Sequence, residues 1–171
     1  TDGLVVLADG ADNPGGGAAC DATFILRRLI ERGLGQTALG PLWDPVAVRI
    51  AFDAGVGARL PMRLGGKISP LSGDPLDVPC TIMALHQDMV MTGLANTPTP
   101  LGDCAWVRAA GVDVVLISLR NQAMHTDLFT QLGIALSQYK RVVVKSSQHF
   151  YASFAPLAAK VIYVQAPGAV T

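Results

Sequence analysis

Four short runs constrain this chain more than any other feature: Leu4–Ala8, Val112–Ser118, Arg141–Lys145 and Val161–Val164 are dense in Val, Ile and Leu. Strict alternation would suit strands with one wet face. Near-continuous apolar runs suit strands buried on both faces, as in a parallel sheet covered by helices. Helical segments fall between them. Ala22, Ile25, Leu26, Leu29 and Ile30 recur at helical spacing, with Asp21 or Thr23 placed to cap the start and Gly33 or Gly35 to end it. Asp44-Pro45 opens a second helix, with Asp44 as N-cap and Pro45 at the first helical position, stopped by Gly55-Val56-Gly57. Asp127 to Leu132 reads as a short helix, and Ser147 opens another through Phe150, Phe154, Leu157 and Ala158. The alternation predicts an α/β fold, a mixed and largely parallel sheet flanked by helices, in one domain over 1–171.

The stretch 58–110 has a different texture. Arg59–Leu64, Val78–Leu85, Met89–Met91 and Cys104–Val107 are short strand-like runs broken by Gly and Pro turns, which predicts an inserted antiparallel β subregion. Thr92 to Gly102, with Asn96-Thr97-Pro98-Thr99-Pro100, reads as a loop or hairpin tip.

Composition excludes several classes. Half of the 171 residues are hydrophobic and 15% are charged, yet no run of eighteen apolar residues exists. A membrane-spanning helix needs about 20 such residues, and a chain this apolar buries enough surface to avoid disorder. Thirteen basic and thirteen acidic residues balance to zero, and the densest basic group, Arg27, Arg28 and Arg32, sits on one helix. Nucleic-acid binders carry a basic stripe instead, so no nucleic-acid or membrane partner is expected. The apolar excess points to faces covered by another domain or, in a homo-oligomer, by a second copy. Three widely spaced cysteines, Cys20, Cys80 and Cys104, fit reduced thiols in a cytoplasmic protein. There is no charged-then-apolar leader, and the chain starts at Thr1 and falls straight into a strand, which suggests a piece of a longer protein or a processed terminus.

Polar residues gather just after the apolar runs. Gly15-Gly16-Gly17 lies between the first strand and the first helix, where uncovered backbone N–H groups can face an anion or a developing oxyanion; Asp9, Asp12, Asn13 and Asp21 surround it. Neither the dinucleotide fingerprint nor the P-loop pattern is present, and a tight crossover alone would also call for glycine. Gly65-Gly66-Lys67 offers a cation beside an open backbone. Lys145, with Ser146 or Ser147 as N-cap and His149 beyond, sits where carboxyl ends of strands line a crevice in open α/β sheets. Arg120 follows another buried strand and can hold a carboxylate through two hydrogen bonds. His86, His125 and His149 stand far apart with no metal-ligand spacing, so no metal site is expected on this chain.

Val5–Gly17 (Val-Val-Leu-Ala-Asp-Gly-Ala-Asp-Asn-Pro-Gly-Gly-Gly), Gly55-Val-Gly, Leu64-Gly-Gly-Lys, Gly111-Val-Asp-Val-Val-Leu-Ile-Ser, Val144-Lys-Ser-Ser-Gln-His-Phe and Ala166-Pro-Gly together resemble the C-terminal domain of microcystinase C (MlrC)-type metallopeptidases. The resemblance runs the length of the chain in order. It implies a longer parent whose N-terminal domain holds zinc through Asp and His, with no cofactor on this chain. That N-terminal domain and a small peptide, amide or other small molecule are the implied partners. In that setting Asp12, Asn13, Gly15, Gly16, Gly17, Lys67, Arg120, Lys145, Ser146 and His149 would bind substrate or an anion, and the isolated domain would be inactive. A non-catalytic anion-binding or structural, oligomerising domain is the alternative. The family's loop usually continues Ala-Pro-Gly-Asp, where this chain has Ala18-Ala19-Cys20-Asp21, which predicts a less constrained start to the helix.

Overall fold

Three of the four apolar runs become the middle of one sheet; the fourth, Val161–Val164, forms its edge, where Ile162 and Tyr163 are exposed and not buried on both faces. The computed structural model describes residues 2–170. Its strands are β1 (Leu4–Asp9), β2 (Thr37–Trp43), β3 (Arg59–Leu64), β4 (Leu76–Thr92), β5 (Pro98–Ala109), β6 (Val112–Ile117), β7 (Arg141–Val144) and β8 (Ala158–Val164). They form an eight-stranded sheet in the order β3-β4-β5-β6-β2-β7-β1-β8. The pairs β6·β2, β2·β7, β7·β1 and β1·β8 are parallel, and β3·β4, β4·β5 and β5·β6 are antiparallel. The antiparallel strands therefore extend the parallel sheet edge-on through β6.

Helices α1 (Phe24–Glu31) and α2 (Pro45–Ala54) cover one face; the short α3 (Asp127–Thr130) and α4 (Tyr151–Phe154) cover the other. Side chains alternate between the two cores along each strand. Val6 and Ala8 of β1 and Val142 and Val144 of β7 pack with Phe129, Phe150 and Phe154, whereas Val143, Leu39 and Leu116 pack with Leu26, Leu29 and Val48. Both faces are dry, which is why these strands carry no polar alternation.

Asp44 caps α2 as expected, its Oδ1 accepting from Ala47 N at 3.0 Å, with Pro45 in the first turn. Elsewhere local signals were overridden. Strand β2 was not expected, because Gly40-Pro41 punctuates its pattern; the ladder accommodates the pair with a register shift between Leu39 and Leu42. Val78–Leu85 and Met89–Met91 belong to the single strand β4, which passes irregularities near Ala84 and Asp88 instead of turning. The hairpin tip shrinks to the residues between Thr92 and Pro98. The helix expected from Ser147 to Ala158 is only Tyr151–Phe154, followed by a 3-10 turn at Ala155–Leu157; Pro156 ends it and Ala158 already pairs with Leu4. Helix α1 has no side-chain cap, since Asp21 accepts from Lys67 N, Ile68 N and Ser72 Oγ while Thr23 Oγ1 donates to Ser72 O and Asp74 O. No helix is long and apolar enough to cross a membrane among the described residues.

Candidate functional site

Strand β1 leads to α1 on one face, while its neighbour β7 leads to α4 on the other. Loops leaving adjacent parallel strands toward opposite faces part at the carboxyl ends, and that crevice is where open α/β sheets bind ligands. Here the crevice is bordered by the loops after β1, β2, β6 and β7, and almost every candidate residue lies on them.

Its centre is a buried ion cluster. Lys145, just past β7, is 1% exposed and donates to Asp12 Oδ2 at 2.6 Å, Asp9 Oδ2 at 3.3 Å and Ala22 O at 3.1 Å. Burial works against its charge, but the adjacent Asp12 and Asp9 carboxylates outweigh it and hold the ammonium pKa above the ordinary lysine range. Asp12 also accepts from Cys20 N at 3.0 Å and Ala22 N at 2.8 Å. The anion cradled by backbone N–H groups and a lysine is thus the chain's own Asp12. Lys145 has three ammonium hydrogens and three acceptors. Asp9 Oδ1 is buried with no partner among the described residues.

The glycine loop is internally bonded in the same way. Gly15 N donates to Asn13 Oδ1 at 2.9 Å, Gly16 N to Asn13 O at 3.0 Å and Gly17 N to Pro14 O at 3.1 Å, forming a 3-10 turn whose glycines are exposed. Asn13 Nδ2 donates to Ser147 Oγ at 3.0 Å, tying this loop to the one after β7.

A second set of contacts brings in Lys67. Its Nζ pairs closely with Asp44 Oδ2 and donates to Arg63 O at 2.8 Å. Asp44 Oδ2 also accepts from Gly65 N at 2.8 Å. Asp21 Oδ2 takes Lys67 N at 2.8 Å and Ile68 N at 3.1 Å, while Oδ1 pairs closely with Ser72 Oγ. Gly65 has φ +58°, and a Cβ there would stand 2.5 Å from Asp21 O, so the 65–68 turn docks on the 18–22 loop only with glycine.

Arg120 and His149 face outward. Arg120 donates from Nε to Ala19 O at 2.9 Å, and its guanidinium carbon lies 3.9 Å from the centroid of the Trp43 ring, a cation–π contact that leaves its terminal nitrogens at the surface. It borders a cleft of about 220 Å³ with Ala18, Ala19, Ile68, Ser69 and Leu71. His149 Nδ1 lies 2.8 Å from Gln122 Nε2, and Ser146 Oγ, fully buried, donates to Gln122 Oε1 at 3.0 Å. Arg120 and Gln122 both touch the glycine loop, Gln122 through Gly15.

Cys20 is fully buried at φ +66°, with Sγ 3.3 Å from Pro41 O. Its backbone is in the left-handed region that glycine adopts most readily. Burial pushes its thiol well above the ordinary range, with nearby Lys145 opposing only in part. The thiol is held protonated and inert.

His86 lies on β4, its Nδ1 2.9 Å from Gln87 O, and His125 lies just before α3, its Nδ1 accepting from Asp127 N at 3.0 Å. Among the described residues no three His, Cys, Asp or Glu side chains converge as metal ligands. The edge carboxylates are engaged by lysines and backbone N–H groups, so this donor set does not fit a zinc ion. Sequence reasoning placed Gln122 only in the polar cluster that follows β6 and missed Trp43 and the pairing of Asp44 with Lys67, whose place at or soon after strand ends was the available signal. A larger cleft of about 1050 Å³, bordered by Leu29, Leu34, Lys140, Arg141 and Ile162, lies at the opposite, amino end of the parallel strands. It holds none of the candidate residues.

Against this geometry, a sequence-family model for the MlrC C-terminus matches residues 7–171. Microcystinase C from Sphingomonas sp. is 38% identical over 160 residues, covering 94% of this chain and 31% of that protein. The crystal structure of a candidate metallopeptidase from Mesorhizobium sp. BNC1 superposes with a TM-score of 0.88 at 26% identity, over 99% of this chain and 34% of that one. The chain therefore spans about a third of the length of the relatives it matches.

Proposed function

From the premise that this chain belongs to the MlrC C-terminus family, we propose that it is the C-terminal domain of a microcystinase C-like metallopeptidase acting on small peptides or amides. Its carboxyl edge faces a cleft completed by an N-terminal domain, which holds the metal that the structural relative's description as a metallopeptidase implies. The domain is cytoplasmic and acts only in that company.

Roles within the edge divide by depth. Asp12, Asn13, Lys67, Lys145 and Ser146 lock the loops to one another, so they bind substrate indirectly, by holding its contacts in place. Arg120, His149 and the exposed Gly15–Gly17 turn meet the substrate, with Arg120 taking a peptide carboxylate through its free guanidinium nitrogens. The observation that carries this division is Lys145, whose three donors all end on the chain itself. A preorganised edge holds contacts in place without reorganising when substrate arrives.

The test is elemental analysis and a linear-peptide hydrolysis panel, run on this chain and on a longer polypeptide that carries it with its N-terminal domain. Zinc and turnover in the longer polypeptide alone are expected. Stoichiometric zinc or turnover in this chain by itself would overturn the reading.

A further inference from the structure

Gln122 is 6% exposed, and both ends of its carboxamide are engaged. Ser146 Oγ donates to Oε1 at 3.0 Å, which leaves the NH2 end against His149 Nδ1 at 2.8 Å. An amide NH2 group only donates, so Nδ1 must offer its lone pair, and the proton of the neutral ring stands on Nε2. His149 is exposed, and its Nε2 has no partner among the described residues.

Gly15 supplies an independent observation. A Cβ built on it would lie 2.6 Å from Gln122 Nε2 and 3.1 Å from Cδ. The first glycine of the loop thus leaves the room through which the Gln122 amide reaches His149. Three loops converge on this relay: the turn after β1, the segment after β6 and the turn after β7.

We propose that Gln122 is a positioning residue that fixes His149 in its Nε2–H tautomer, as an outward hydrogen-bond donor to a carbonyl or carboxylate oxygen of the substrate. The inference rests on the reading that the carboxyl edge meets substrate, and it deepens that reading by naming a neutral donor beside the charged Arg120. A purely structural Gln122 would affect stability and leave the ring's proton where it is.

The experiment is nitrogen-15 histidine NMR on this chain, at a pH where the ring is neutral, reading which His149 nitrogen carries the proton. The native chain is expected to show Nε2–H alone. Gln122→Glu offers Nδ1 only acceptors, so the proton is expected to move to Nδ1. Gly15→Ala displaces the amide and is expected to give a mixture of tautomers; it carries the test if Gln122→Glu does not fold. His125 and His86 serve as internal references and are expected to stay unchanged. An Nδ1–H signal in the native chain, or a His149 pattern unmoved by either variant, overturns the positioning role. If the pattern shifts as expected while His149→Ala in the longer polypeptide keeps full kcat/KM, the reading of the edge falls and the relay stands.

Discussion

The two ends of the same parallel strands differ in how densely they bury polar groups. At the carboxyl ends, Asp9, Asp12, Asp21, Asp44, Lys145, Ser146 and Gln122 are each less than 7% exposed, and hydrogen bonds join loops that lie far apart in sequence. At the amino ends Lys140 is exposed and Arg141 is half-buried, bordering the larger cleft, and Arg141 bonds to Gly35 O and Thr37 Oγ1 at 3.2 Å each. Volume and chemistry thus point to different ends. Polar groups buried at this density are costly unless satisfied, so a chain keeps them where loop geometry must be exact in atomic terms. The amino end buries a smaller network, Asp113 accepting from Trp106 Nε1 at 2.8 Å, Arg108 Nε at 2.9 Å and Tyr139 Oη at 2.6 Å, while Lys140 stays in water.

The comparison breaks most readily at Lys145. Lys145→Met leaves Asp9 and Asp12 buried without their cation and is expected to cost about 3–5 kcal/mol in denaturant unfolding. A loss below about 1 kcal/mol would mean that the cluster is not the clamp described here. Asp44→Ala removes the cap of α2 and strands the buried Gly65 N–H, for about 2–4 kcal/mol together. The same unfolding curve reads it.

The dry cores add a pH signature. Burial raises the Cys80 thiol to about 11 and the Cys104 thiol to about 12. Unfolded thiols ionise near ~8.5, so above that the native state binds more protons than the unfolded one and stability falls with rising pH. The expected slope is about 1.4 kcal/mol per pH unit for each thiol up to its native value. The raised Lys145 pKa carries the same sign: its contribution is whole below the unfolded lysine value and is lost as pH rises through the native one. Cys104→Ala should flatten the alkaline slope measured by thermal melts, and an unchanged slope would contradict the assignment. The smallest effect belongs to the amino end, where Lys140→Met is expected within about 0.5 kcal/mol of the native chain.

Much of this was legible in the sequence, for physical reasons that differ by residue. β1, β6 and β7 announced themselves because both of their faces pack in apolar cores, and β8 because its run is apolar although it is an exposed edge strand. Helix α2 was legible because Asp-Pro fixes a cap and a first turn locally. β2 hid because Gly40-Pro41 is a local turn signal that the sheet overrides through its neighbours β6 and β7. Lys145 was legible as a strand-end cation, but its partners Asp9 and Asp12 are 136 and 133 residues away and no local pattern links them. Gln122 was equally hidden, since its meaning depends on Gly15 and His149 arriving from two other loops. Cys20 was equally illegible, since its left-handed backbone goes with Sγ contacts to Pro41 O and Asn121 O that come from β2 and from the segment after β6.

The measurement that bears most directly on the account is kcat/KM for a linear peptide, taken on the longer polypeptide with one end of the sheet altered at a time. Arg120→Ala and His149→Ala at the carboxyl end are each expected to lower it about tenfold or more, the loss of one hydrogen bond to a charged or polarised group. Lys140→Ala at the amino end is expected to leave it unchanged. Loss on altering Lys140, with Arg120 and His149 both dispensable, would contradict the account and move the functional site to the larger cleft at the other end.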